Sequence, residues 1–166
     1  PPPTTSARVP FRSRHPPPGR DTTPFRVGTT SSGHESRALG VGNTASGINR
    51  SAFGDRSSTL GIDSASFGYR DTASQANASA FGFGDKAYGA NSNAFGYNSN
   101  VTSVNGSAFG VNNTVSAPSG TALGAQNTVA GTQAGAVGFQ NSAAGHHGNA
   151  FGGFNSESVA TRSALG

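Results

Sequence analysis

The chain contains no cysteine. That excludes a disulfide framework, thiolate chemistry and a cysteine-ligated zinc site, and it leaves the redox compartment open, because exported and cytosolic chains alike dispense with the residue. Charge is scarce too, at 11% of residues, and hydrophobic residues reach 33% with aromatics at 8% of 166 positions. So little apolar matter does not fill one thick core of the usual kind. No apolar run approaches the length of a membrane span or a signal peptide, so a membrane anchor would have to lie outside this sequence, and the start at Pro1 reads as a mature or excised segment.

The net charge of +4 is confined to one end. Residues 1–26 hold Arg8, Arg12, Arg14, Arg20 and Arg26 against Asp21. The remainder balances Arg37, Arg50, Arg56, Arg70, Lys86 and Arg162 against Glu35, Asp55, Asp63, Asp71, Asp85 and Glu157. A neutral body lacks the stripe of Lys and Arg that a nucleic-acid grip requires, so nucleic acid is not an expected partner.

What the sequence has is a period. Gly40, Gly54, Gly68, Gly82, Gly96, Gly110, Gly124, Gly138, Gly152 and Gly166 follow one another every fourteen residues. Each is preceded by an apolar residue, in the row Leu39, Phe53, Phe67, Phe81, Phe95, Phe109, Leu123, Val137, Phe151 and Leu165. Before these stand Ala38, Ala52, Ala80, Ala94, Ala108, Ala122, Ala136, Ala150 and Ala164, with Ser66 as the exception. Units that always see the same neighbours above and below build a solenoid or stacked roll, and ladders of like residues order a composition that would otherwise read as disordered.

Ten units fill 27–166, with glycine as the fourteenth position. The third position is Asn, Asp, Ser or Thr throughout (Asn43, Asp71, Asp85, Asn113, Asn127, Asn141, Asn155), and the ninth is often Asn or Asp (Asn49, Asp63, Asn77, Asn91, Asn105). Both are expected to be corners, since Asn and Asp bond their own backbone and tolerate left-handed geometry. The stretches between are too short for helices and read as strands.

In Ser51-Ala52-Phe53-Gly54-Asp55 and its copies, Phe shares a face with the first residue of the next unit (Val41, Tyr69, Phe83, Tyr97, Val111, Phe139), while Ala and Gly share the other. A strand apolar on both faces needs partners on both sides. The expectation places the bulky row inside each coil against Ala45, Ala73, Val101 and Val115, and the flat Ala/Gly face against another chain. The reverse, Ala inside and Phe between chains, is the alternative, and both versions require an oligomer. The second strand carries Thr44 and Ser46, Thr72 and Ser74, Thr114 and Ser116 around an apolar fifth position, so its outer wall is expected to be a solvated hydroxyl surface and a candidate binding face.

Residues 1–26 form a separate Pro/Arg-rich segment. Pro10-Phe11-Arg12 and Pro24-Phe25-Arg26 lie fourteen residues apart and in phase with Leu39. Two readings stand side by side: a disordered linker, or degenerate coils whose Pro and Arg blunt an open sheet edge. At the other end, Gly166 closes a unit, and the natural protein is expected to continue.

Segments such as Asn77-Ala78-Ser79-Ala80-Phe81-Gly82 and Thr44-Ala45-Ser46-Gly47-Ile48-Asn49-Arg50-Ser51-Ala52-Phe53-Gly54 resemble the head repeats of YadA-like trimeric autotransporter adhesins. The resemblance covers 27–166. It implies a left-handed parallel β-roll assembled as a homotrimer and displayed on a bacterial outer membrane through a stalk and anchor absent from this sequence. It also implies Ala toward the three-fold contact and the large residue toward the roll interior. The chain departs from the family two places before the large residue, where Arg37, Ser51, Asn93, Ser107 and Asn149 replace an aliphatic, and in preferring Phe to Ile or Leu. Similar repeats also resemble segments of phage fibres.

Catalytic and metal chemistry finds no footing. The carboxylates are scattered singly, where solvated turn residues are expected, and the repeat glycines precede no helix start. His146 and His147, as neighbours on a strand, would point opposite ways and not chelate one ion, with His15 and His34 offering no second ligand at metal spacing. Asn-x-Ser triplets at Asn49, Asn77 and Asn105 are what such a composition yields by chance. The chain is therefore expected to be no enzyme and to need no cofactor. Its expected role is extracellular, as an adhesin head binding matrix, cells or surfaces through many weak sites. The alternative is a structural fibre segment, and a third reading is an ice-binding solenoid, against which Leu60, Lys86, Tyr88 and Asn100 interrupt the threonine rows.

Overall fold

Two left-handed residues per unit turn the backbone back on itself. The ninth position has positive φ in all ten units, from Glu35 (58°) and Asn49 (53°) to His147 (57°) and Thr161 (64°). So does the second, from Gly28 (62°) and Arg56 (54°) to Gln140 (53°) and Phe154 (59°). The corner expected at the third position therefore sits one residue earlier. Non-glycine residues hold this conformation at a cost of about 1 kcal/mol each, offset by bonds from the corners to the preceding rung. Asn49 N–H donates to His34 O (3.0 Å), Asn91 N–H to Ala76 O (2.9 Å) and Arg56 N–H to Val41 O (2.8 Å).

The computed structural model describes residues 23–166. Between corners the chain runs as strands, and equivalent strands of successive units pair in parallel with like opposite like: Ala94 opposite Ala108, Phe95 opposite Phe109, Gly96 opposite Gly110. Among the described residues the longer segments, such as Ser51–Asp55, Ser79–Phe83 and Ser107–Val111, form one sheet of 11 strands in sequence order. The shorter ones, such as Thr44–Ser46, Thr72–Ala73 and Thr114–Val115, form a facing sheet with 10 described strands. The result is an all-β parallel solenoid with fourteen-residue coils. Its first strand, Thr23–Val27, begins four residues before the expected array and pairs Phe25 with Leu39 in phase. Pro10-Phe11-Arg12 and the rest of 1–22 lie outside the described residues.

The interior is the reverse of the expected one. Ala38, Ala52, Ala80, Ala94, Ala108, Ala122, Ala136 and Ala150 are fully buried, facing Ala45, Ala73, Ala87, Val101, Val115, Val129 and Ala143 across the coil. These alanines are inside and unavailable for contact with another chain; Ala164, in the terminal rung, is half-buried. The expected core ladder stands on the outer face instead: Phe67 (38%), Phe109 (39%), Leu39, Leu123, Phe151 and Leu165 are exposed, and Phe53, Phe81, Phe95 and Val137 are half-buried. The reason is volume. A fourteen-residue coil is flattened until its two sheets touch through methyl and isopropyl groups, which leaves no room for a ring.

That thin core is adjusted locally. Where the fifth position carries Val101 or Val115, the tenth is Gly106 or Gly120, and a Cβ on Gly106 would lie 2.7 Å from Val101 Cγ1. Where the fifth position is Ala73, the tenth is Ala78, and both are fully buried. Val129 has the buried Ala134 at its own tenth position, and the room beside it comes from Gly120 on the preceding rung, where a Cβ would lie 2.8 Å from Val129 Cγ1.

Candidate binding faces

The outer face of the larger sheet carries two parallel aromatic columns. Phe53, Phe67, Phe81, Phe95 and Phe109 stack with successive centroid distances of 4.5, 4.8, 4.8 and 5.5 Å. Beside them Tyr69, Phe83 and Tyr97 stack at 4.8 and 5.0 Å. These spacings follow from the strand separation of about 4.8 Å. Within the columns each ring covers the face of its neighbour, whereas Phe139 and the exposed Phe154 meet edge to face at 5.4 Å. Phe83 (45%), Tyr97 (48%), Val111 and Phe139 are nonetheless open to solvent. Arg70 lies 5.1 Å over the Tyr69 ring, and Arg56 Nη1 donates to Tyr69 Oη at 3.2 Å, so cations border the band at one end.

The facing sheet presents the hydroxyl wall. Thr44, Ser58 and Thr72 are in register on adjacent strands, as are Thr114, Thr128 and Ser142. Thr72, Lys86, Asn100 and Thr114 continue the same row, so the ladder is broken by a charge and an amide. Ser46, Ser74 and Ser116 follow two residues on, where the strands run into the turn; Ser116 Oγ donates to Val129 O at 3.3 Å. All six of the expected hydroxyl positions thus share one side of the solenoid, half-buried except for the exposed Ser116. The ninth-position corner adds an exposed amide ladder, Asn77 Nδ2 to Asn91 Oδ1 (2.8 Å) and Asn91 Nδ2 to Asn105 Oδ1 (3.0 Å).

A third array is buried, and the sequence reading assigned it to a corner. Third-position side chains point inward and bond from rung to rung. Asn127 N–H donates to Asn113 Oδ1, Asn141 N–H to Asn127 Oδ1 and Asn155 N–H to Asn141 Oδ1, each at 3.0 Å. Each amide group also donates outward to two carbonyls: Asn113 Nδ2 to Phe109 O and Gly124 O (2.9 Å each), Asn141 Nδ2 to Val137 O (3.0 Å) and Gly152 O (2.8 Å). One side chain satisfies three backbone groups, a buried N–H and two part-buried carbonyls. The signal in the sequence was the contrast between this position, always Asn, Asp, Ser or Thr, and the preceding one, which accepts Gly, Arg, Asn, Gln and Phe.

Asp71 and Asp85 occupy the same column, fully buried. Burial raises the pKa of both, the main effect in each case, with backbone N–H groups pulling the other way; Asp85, which also feels the Asp71 charge, is pushed up to about 6. His146 and His147 correct another expectation: they lie in a corner and not along a strand, with ring centroids 3.9 Å apart. His146 Nδ1 faces Thr132 O at 3.1 Å. Among the described residues no three His, Asp or Glu side chains converge on one point. A scan against protein-family models returns no match for this chain, and a search of curated proteins returns none either.

Proposed function

We propose that the chain is the head of an extracellular, surface-displayed adhesin, a left-handed roll that associates as three copies. The observation that carries this reading is the pairing of two unlike walls on one solenoid: an aromatic band along the larger sheet and a hydroxyl and amide wall along the other. A continuous band of exposed apolar side chains along one sheet marks an interaction surface, and sister copies are the occupant that repeats with the same rise. The alanine rows, buried within the coil, leave this contact to Phe67, Phe83, Tyr97 and Phe109. The opposite wall then stays in water, where weak hydrogen-bond sites add up through multivalency toward matrix, cell-surface or other macromolecules. No reaction is assigned to it.

Two measurements test the reading separately. Sedimentation equilibrium is expected to give three times the chain mass; a monomer at micromolar concentration overturns the assembly. Solid-phase binding to matrix proteins and cells is expected to give saturable binding; no signal on any surface overturns adhesion. The unbroken register of both sheets favours a second reading, a fibre segment whose role is reach. Deleting whole fourteen-residue units in phase separates the two, since a fibre only shortens while a localised adhesive site is lost at one particular deletion.

A further inference from the structure

We propose that Asp71 and Asp85 hold a proton between them inside the solenoid, making the rungs around residues 69–96 a block that is tight in acid and loosens toward neutrality. The inference rests on the fold and the buried ladder and is independent of the adhesive reading. Where a rung carries Asn, the inner side chain has two different ends: an oxygen for the N–H of the next rung and an NH₂ for two backbone carbonyls. Aspartate keeps the first function. Asp71 Oδ1 accepts from Asp85 N–H at 2.8 Å, and Asp85 Oδ1 accepts from Ser99 N–H at 2.7 Å.

The second function fails for an ionised carboxylate, which has no hydrogen to give. Asp71 Oδ2 finds the Gly82 N–H at 2.9 Å. Asp85 Oδ2 is buried without a well-formed hydrogen bond, the Gly96 N–H being the backbone donor turned toward its carboxyl. A proton on that oxygen restores the donor that the asparagine rungs have, and it removes one of two like charges set one rung apart in a dry interior.

Among the described residues no cation offsets the pair. On the longer strands above and below, Tyr69 and Tyr97 face outward; on the shorter ones Lys86 is exposed, as is Arg70 at the corner between them. The inward groups across the coil are Ala73, Ala87 and Val101, and the column continues into Ser57 and Ser99. The two carboxyls therefore see only each other and backbone amides.

The direction of the pH effect follows from linkage. Both folded-state values lie above the ordinary carboxyl range, so the stabilisation is complete below about pH 4, where the unfolded carboxyls are also protonated. It is lost as pH rises through about 6, the value for Asp85. Because the pair is coupled, the loss belongs to both residues together.

Thermal melting of the full chain, in whatever assembly it forms, tests the proposal at pH 5 and pH 8, with Asp85→Asn and Asn127→Asp as variants. The wild-type midpoint is expected to fall by about 5 °C between these values. Asp85→Asn, which supplies the missing donor, is expected to erase most of that fall and to melt above wild type at pH 8. Asn127→Asp places an acid where Asn113 and Asn141 flank it and is expected to steepen the fall. Wild type and Asp85→Asn falling in parallel would assign the dependence to other groups and overturn the proposal. A side-chain carboxyl NMR titration reads the site directly: a midpoint near 6 for the pair supports it, and two ordinary midpoints near 4 overturn it even if a variant fails to fold.

Discussion

Phe81 and Phe95, fourteen residues apart, lie with ring centroids 4.8 Å from each other and planes inclined by 3°. The contact repeats along the sheet, so each ring is held by the ones above and below while its outer edge stays open. Stacking of this kind contributes about 0.5–1.5 kcal/mol per pair beyond area burial. Phe95→Asp is therefore expected to act mainly on association: it puts a charge in the middle of the aromatic band without touching the buried interior. Sedimentation should show dissociation, with at least a tenfold weaker self-association, while far-ultraviolet circular dichroism keeps its β signature. A variant that remains fully assembled would move the contact to another face.

The packing between Val101 and Gly106 predicts a compensating pair. Val101→Ala removes two methyl groups from a fully buried position and is expected to cost about 2 kcal/mol. Gly106→Ala forces a methyl to within 2.7 Å of Val101 Cγ1 and 2.5 Å of Ser103 Oγ, an overpacking cost of about 1–3 kcal/mol. Combined, each makes room for or fills the other, and the double variant is expected to lose clearly less stability than the sum. Chemical denaturation of the four species gives the coupling; strict additivity would show that the two side chains do not share a space.

The period, the alternation of strand and corner, the left-handed ninth position and the inward fifth position were all readable from residues, because each depends on local chemistry repeated ten times. Which face of Ala52-Phe53 turns inward was not. Both faces are apolar, so the alternation gives two equal answers, and what decides is the distance between two sheets that are fourteen residues of one chain folded on itself. The small residues at the fifth and tenth positions, such as Ala73 and Ala78, held that information as a sum of volumes. Asn43 and Asn127 misled for a related reason: asparagine suits a corner and a buried ladder equally, and only the position's intolerance of other residue types separates the two.

Asn127 itself carries a prediction. Its side chain accepts from Asn141 N–H (3.0 Å) and donates to Leu123 O (3.1 Å) and Gly138 O (3.0 Å). Asn127→Leu leaves the buried Asn141 N–H and two part-buried carbonyls without this partner, and at about 1–3 kcal/mol for the buried group it is expected to cost about 2 kcal/mol or more. Asn127→Ser, which keeps an oxygen in the column as Ser57 and Ser99 do, should cost distinctly less. Urea denaturation ranks the two; equal losses would mean that the column is held by backbone pairing alone.

The glycine column sets the closest approach between rungs. Gly96 has φ of 138°, a conformation L side chains rarely adopt, and a Cβ there would run into the carbonyl oxygen of Gly110 on the next strand. Strain and collision act together, because the backbone cannot turn away without breaking its register with Gly110, and that register is shared with Phe95 and Tyr97. Gly96→Ala is expected to destabilise by about 3 kcal/mol or more. Gly153→Ala is the matched control, since the nearest atom a Cβ would meet there is Phe139 O at 3.9 Å, and its φ is not in the left-handed region. Thermal melting should find Gly153→Ala within about 0.5 kcal/mol of wild type. A mild Gly96→Ala would mean that neighbouring rungs can part to admit a methyl group, and then glycine is kept at this position for a reason other than the spacing of the coils.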